Sequence, residues 1–350
     1  MKKKLIILLL ICIIGLIAVD TYYLNQPAND YSNKEDVSIA ITGDVMFARK
    51  MPGVLDLGSP FRNVEDVVST VDLLLINFEN PATYASTPYK GAVPLKSDPK
   101  YVGLAKANEN TIAALANNHI GDYGPEGLKD TINALDENGI SYIGAGNNLE
   151  EASKPVVQDI KDRKVVILNY MDQDNFQEFS QSEIPIATEN EPGYSPIDWD
   201  IIEKDLAEYN DTADIIIVYL HYGNEYSTSP NENQVNISKK LIDNGADIVV
   251  GAHPHVTQGI EMYNDKPIFY SLGNFIFDQS NPNTHLGMFL ELDLVNDSCE
   301  VTVYPIYING YIPQYMSADE GANLLNGLNP QCDNVTITEN GTGKLVFKLD

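Results

Sequence analysis

Positive charge is scarce in this sequence. Its 350 residues carry 22 Lys and Arg against 50 Asp and Glu, a formal charge of −28. No basic footprint exists, so nucleic acid is not an expected partner. The acid excess has two readings: simple solubility, or a surface that attracts divalent cations and repels an anionic polymer. Cysteine is also scarce, with only Cys12, Cys299 and Cys332. Cys12 lies in an apolar run and reads as lipid-facing or as a small core residue. Cys299 and Cys332 would pair in an oxidising compartment or remain two buried thiols, and both options stay open. Nothing in the composition suggests a disordered, fibrous or multi-span protein. A hydrophobic fraction of 43% suffices for one large α/β domain or two ordinary ones.

The start of the chain reads as an address. Lys2, Lys3 and Lys4 precede an uncharged apolar run, Leu5 to Val19. Continuing to Leu24 gives about the length that spans a bilayer, with Tyr22 and Tyr23 suited to its boundary. No small-x-small cleavage site follows. Residues 1–24 are therefore expected to be an uncleaved signal anchor, with a cleaved signal peptide as the alternative. The lysines would stay inside, leaving a single-pass protein in the cell membrane with its bulk extracellular. Residues 25–36, NQPANDYSNKED, read as a tether. Residues 37–350 read as one domain with C-terminal closing strands.

From Val37 a pattern recurs: a short apolar run stops at Gly, Asn, Asp, Glu or His. The runs are Val37–Ile41, Val71–Ile76, Thr111–Ala116, Val165–Leu168, Ile215–Leu220, Ile248–Val250 and Ile268–Tyr270. Such runs suit strands buried on both faces. Helical stretches are expected over Asn63–Val71, Pro99–Asn108, Gly124–Gly139, Trp199–Asn210, Gln234–Gly245 and Ser317–Leu328. The alternation argues for an α/β fold, whose ligands bind beyond the carboxyl ends of the strands. Met288–Leu294 and Glu300–Tyr307 alternate like antiparallel strands, and Val335–Thr338 with Gly343–Leu349 reads as a hairpin.

The polar groups at the strand ends are chemically related. Of five histidines, His119, His221, His253 and His255 fall there, as do Asp44, Glu79 and Asn118. Imidazole with carboxylate suits Mn, Fe or Zn better than calcium. Asp44, Glu79, Asn118, His221, His253 and His255 are the expected ligands of one or two ions. His253 and His255 would share a face if their segment is extended. Glu79 would bridge if there are two ions. His119 or His221 would protonate a leaving oxygen or stabilise the transition state. Asn77 and Asn274 would support the site. His285, in Asn-Pro-Asn-Thr-His, reads as a surface loop residue.

Seven motifs make the pattern specific: ITGDVM at 41–46, NFENP at 77–81, LANNH at 115–119, DYGPEGL at 122–128, HYGNEY at 221–226, GAHPHV at 251–256 and SLGNFIFD at 271–278. In content and order they resemble the CapA family of poly-γ-glutamate capsule-synthesis proteins, over roughly Val37 to Gln279. The resemblance implies a calcineurin-like metallophosphoesterase fold, a four-layer α/β/β/α sandwich. It also implies a membrane-bound role in making or exporting poly-γ-glutamate or a related capsule, with other membrane capsule-synthesis subunits as partners. The chain departs from metallophosphoesterases at Met46, where their Asp-x-His motif has a metal-binding histidine. Their Asn-His pair is kept as Asn118-His119.

Three functions compete at this stage. One is a capsule-assembly component with a metal-dependent hydrolase-type site acting on an anionic polymer or its precursor. Another is a stand-alone extracellular phosphoesterase or amide hydrolase. The last is a non-catalytic scaffold that holds polymer or partner proteins.

Overall fold

The computed structural model describes residues 34–89, 93–173, 185–328 and 334–349. In chain order the strands are β1 (Val37–Val45), β2 (Leu73–Phe78), β3 (Thr111–Ala114), β4 (Ser141–Ile143), β5 (Ala145–Gly146) and β6 (Val156–Ile160). Next come β7 (Arg163–Met171), β8 (Gly193–Tyr194), β9 (Ile215–His221), β10 (Ile248–Ala252), β11 (Ile260–Tyr263) and β12 (Lys266–Phe269). The last are β13 (Asn274–Ile276), β14 (Leu286–Val295), β15 (Ser298–Asn309), β16 (Ile312–Tyr315), β17 (Thr336–Ile337) and β18 (Gly343–Lys348).

They form two main sheets. The larger runs β17-β18-β15-β14-β1-β2-β3-β4, with β13 on β1 and β16 on β15. Its β1 to β4 half is parallel, and β14 pairs antiparallel to β1. The smaller sheet runs β11-β12-β10-β9-β7-β6, parallel at its centre and antiparallel at both edges.

Alternate residues of each central strand enter different cores. Ile41 and Leu75 of the larger sheet pack with Ile167, Ile217 and Val250 of the smaller one. The opposite face of the larger sheet, including Leu74 and Ile76, packs on Leu128, Ile132 and Leu135 of the helix Gly124–Glu137. The outer face of the smaller sheet packs through Val166, Val218 and Leu220 on the helices Trp199–Tyr209 and Glu232–Asp243. Four layers result, ordered helix, sheet, sheet, helix. Each fully buried Ile or Leu contributes roughly 1.5–3 kcal/mol. The double burial explains why these runs lack the polar alternation of one-sided strands.

Two expected helices are cut short. Asn63–Val71 contracts to Glu65–Val68, because Ser69 and Thr70 hydroxyls donate back to the Glu65 and Asp66 carbonyls and end the turn. Pro99–Asn108 is instead a 3-10 segment, Pro99–Ala105, started by the Asp98 side chain accepting from Lys100 N. The strand expected from Val71 begins at Leu73, since Asp72 is held in a turn by Ser38. Ser317 and Glu320 form a capping box on the helix Ala318–Gly327, and β17 pairs with β18 as a hairpin.

The expected anchor at residues 1–24 and most of the tether lie outside the described residues. So does Cys332, and with it any pairing to the buried Cys299. Among the described residues no helix is long and apolar enough to cross a membrane. At the described end of the tether, Glu35 N donates to Asp162 and Arg163 Nε donates to the Glu35 carbonyl.

Candidate metal centre

The site forms where the carboxyl ends of both sheets meet. At the end of β1 the register against β2 slips between Ile41 and Asp44, and the register against β13 slips just after Asp44. Such irregularities re-aim side chains. Close backbone approach demands glycine here: a Cβ on Gly43 would stand 1.9 Å from the Gly273 carbonyl oxygen. From the facing sheet, Tyr219 Oη donates to the Thr42 carbonyl at 2.8 Å, fixing the two sheets together beneath the site.

Asp44, Glu79 and His255 gather into one buried group, their ligand atoms all within 4.8 Å of one another. His255 Nδ1 lies 3.0 Å from Asp44 Oδ2 and 2.9 Å from Asn274 Oδ1. Both neighbours are acceptors, so the ring proton belongs on Nδ1 and the lone pair on Nε2. That lone pair faces Glu79 Oε1 at 3.7 Å, and Glu79 Oε1 is buried without a hydrogen-bond partner. Burial, and then the Asp44 charge, push the Glu79 carboxyl well above the ordinary range.

Beside this group is a second. His221 Nε2 lies 3.0 Å from Asn118 Oδ1 and 3.1 Å from His253 Nδ1. Asn77 joins the two groups: its Nδ2 donates to Asp44 Oδ1 at 2.8 Å and lies 3.4 Å from both Glu79 Oε2 and His221 Nδ1. His253 and His255 do meet at one site, with ring centroids 6.0 Å apart, but not by the expected route. Their segment is not extended. Both residues adopt left-handed backbone, with φ of +96° and +59°. Such strain costs of order 1–3 kcal/mol per residue and persists only where the surroundings enforce it.

His119 stands outside the Asp44–Glu79–His255 group. Asn117 Oδ1 accepts from its backbone N at 3.2 Å, and its Nδ1 lies 2.8 Å from Asp122 Oδ2. Asp122 and Asn117 carried no expected role, and neither did Tyr219. The signal for Asp122 was its place three residues after a strand-end histidine. Met46 is fully buried in the outer core, its sulfur accepting from Ala48 N. His285 sits in a short 3-10 turn, with Nε2 on the Gln279 carbonyl at 2.9 Å.

The family model described as bacterial capsule synthesis protein PGA_cap matches residues 38–279, which span every residue of this centre. The chain belongs to the PGA_cap family. It is 33% identical to PGA biosynthesis protein CapA of Bacillus subtilis, over 90% of this chain and 83% of that one. It is 32% identical to capsule biosynthesis protein CapA of Bacillus anthracis, over 81% and 70%. Solved structures with remote likeness include the calcineurin-like phosphoesterase YfkN of Bacillus subtilis, at 12% identity, 90% and 91% coverage and a TM-score of 0.39. Another is a 5'-nucleotidase of Candida albicans, at 12% identity, 74% and 47% coverage and a TM-score of 0.42.

The residues of this PGA_cap chain fit a divalent cation. Two acceptors, His255 Nε2 and Glu79 Oε1, face one another in a buried space. The donor set of carboxylates, imidazoles and an amide oxygen suits Mn, Fe or Zn. Asn274 on His255 Nδ1 is the kind of outer partner that orients a ligating ring.

Proposed function

We propose that this PGA_cap chain assembles or exports a poly-γ-glutamate-type capsule at the outer face of the membrane. In this reading a metal-dependent hydrolase-type site acts on the anionic polymer, its precursor or a phosphorylated intermediate. The observation that carries it is the buried, unpartnered Glu79 Oε1 opposite the His255 lone pair. The names of the two Bacillus relatives, both capsule or PGA biosynthesis proteins, support the capsule context. The lysines and apolar run at the start support the anchor and the outward placement.

Asp44, Glu79 and His255 would hold one ion, and Asn118, His221 and His253 with Glu79 a second. A bound divalent cation would lower the pKa of a coordinated water and polarise the group under attack. The chain's own residues then bind and orient. Asn77 keeps Asp44 and Glu79 in register with His221. Asp122 holds the His119 ring by Nδ1, so Nε2 is the atom that would carry a proton to a leaving group.

The test is metal content of the soluble part, beginning near Tyr22, beside a His253→Ala/His255→Ala variant. Near-stoichiometric Mn, Fe or Zn, lost in a folded variant, supports the site and directs a screen of phosphoesters and γ-glutamyl amides. No metal in the wild type, even with excess cation, sinks the hydrolase reading. A scaffold of the capsule machinery would then stand, and the buried Met46 in place of a ligand favours that second reading.

A further inference from the structure

A cavity of about 330 Å³ lies beside the metal centre, lined by Arg49, Lys50, Tyr226, Asp278 and Gln279 among others. Its wall is the back of the ligand shell. The Phe277 ring packs on His255 with centroids 4.7 Å apart, and the Arg49 guanidinium lies 5.3 Å above the Phe277 ring. Tyr226 approaches His255 at 6.3 Å between centroids. Gln279 Oε1 accepts from Asn274 Nδ2 at 2.8 Å, and its Nε2 donates to Tyr226 Oη at 3.4 Å.

This lining is positive in a chain of formal charge −28. Arg49 and Lys50 are its two cations and Asp278 its one acid. Asp278 pairs with Arg49 Nη2 and accepts from Lys50 backbone N at 3.1 Å, so it aims both residues. A guanidinium has five N–H donors in a planar fork, more than one carboxylate uses. The Lys50 ammonium rests 5.7 Å from the Tyr311 ring centroid. Arg49 and Tyr226 have left-handed backbone, with φ of +55° and +64°, as His253 and His255 do. Two strained residues from separate segments, Arg49 and Tyr226, thus stand at this opening. The Arg49 side chain is 36% exposed and Tyr226 47%, so a ligand can reach both.

We propose that Arg49 and Lys50 form an anion subsite that seats a carboxylate or phosphate of the substrate beside the group presented to Asp44, Glu79 and His255. The inference rests on the reading of the centre as a site for an anionic polymer or precursor, and it adds the residues that recognise the charge. Arg49 supplies paired donors matched to a planar or tetrahedral oxyanion, and Lys50 supplies a point charge.

The test is calorimetric binding of two probes, a γ-linked oligoglutamate and inorganic phosphate, to the full chain in detergent after chelation. Arg49→Gln and Lys50→Gln are compared with Lys344→Gln, an equal loss of charge at an exposed position of strand β18 outside the cavity lining. Expected is wild-type binding of at least one probe that weakens with salt, lowered about tenfold or more in both site variants, as for a lost charge-assisted pair, and unchanged in Lys344→Gln. Loss confined to oligoglutamate identifies the carboxylate as the recognised group, and loss confined to phosphate identifies the phosphate. Wild-type-like binding by Arg49→Gln and Lys50→Gln, or no binding of either probe by the wild type, overturns the subsite. If near-UV circular dichroism shows that Arg49→Gln is misfolded, Lys50→Gln alone decides. Because the ion is removed throughout, failure of the metal reading and failure of the subsite give separate results.

Discussion

Glu79 Oε1 and His255 Nε2 face each other at 3.7 Å, both as acceptors, in a buried space. Two acceptors at that range are compatible only with something positive between them. The choices are a proton on either group or a cation bound by both. The two therefore compete for one position.

That competition sets the pH response of the ion-free protein. Burial and Asp44 raise the Glu79 carboxyl, so the unfolded chain loses this proton at lower pH than the folded chain does. Between those two points the native state holds more protons, and this group's contribution to stability falls as pH rises. Melting temperatures of chelated wild type and Glu79→Gln, taken from roughly pH 4 to 8, should converge at the acid end. The variant should be the more stable at the upper end. Parallel profiles would remove the basis for the raised carboxyl.

Asn274 is expected to act through His255 rather than on the ion. Asn274→Ala removes the 2.9 Å partner of His255 Nδ1 and leaves Asp44 alone to orient the ring. Metal affinity, read by competition with a chelating dye, should weaken about 10–100-fold, the usual effect of losing such an orienting partner. Unchanged affinity would leave Asn274 as a packing residue of β13.

The floor of the site is predicted to tolerate no side chain at position 43. The 1.9 Å approach of a Cβ to the Gly273 carbonyl requires the β1–β13 pairing to open. Gly43→Ala should lower stability by at least about 1–3 kcal/mol, seen as a lower urea midpoint, and should weaken metal binding with it. A variant with wild-type stability and affinity would show that this pairing is dispensable.

His119 and Asp122 should separate chemistry from binding. His119→Asn and Asp122→Asn are expected to keep metal stoichiometry. Turnover of any phosphoester or amide the wild type hydrolyses should fall about 10²–10⁴-fold in His119→Asn, the usual range for a lost general acid. If His119→Asn sheds the ion instead, His119 is a ligand and the proton must come from elsewhere.

Much of the fold was legible because its central strands are buried twice. Runs such as Ile215–Leu220 have no polar face to obscure them. Strands without a long unbroken apolar run were not legible. β6 is half exposed, and β13 is three residues long and exists because β1 turns toward it. The convergence of Asp44, Glu79 and His255 followed from their places at strand ends. How His253 and His255 reach the site did not, because left-handed backbone at a non-glycine residue is imposed by tertiary packing and leaves no local mark. Asp122 was hidden for a related reason. An acid in a loop looks like any other in a chain with 50 of them, until its 2.8 Å contact with His119 distinguishes it.

The pairing of Asp44 with Asn274 and His255 also constrains the order of events at birth. β1 carries Asp44, yet its neighbours β13 and β14 lie far along the chain, and Asp44 and His255 are 211 residues apart. A ribosome delivers β1 long before those strands exist, so its Val and Ile must wait, unpaired on one edge, while most of the protein is made. Contacts of such separation are slow to form. The waiting strand is then open to mispairing, and the contact of Asp44 with His255 forms only once the distant halves of the chain have come together.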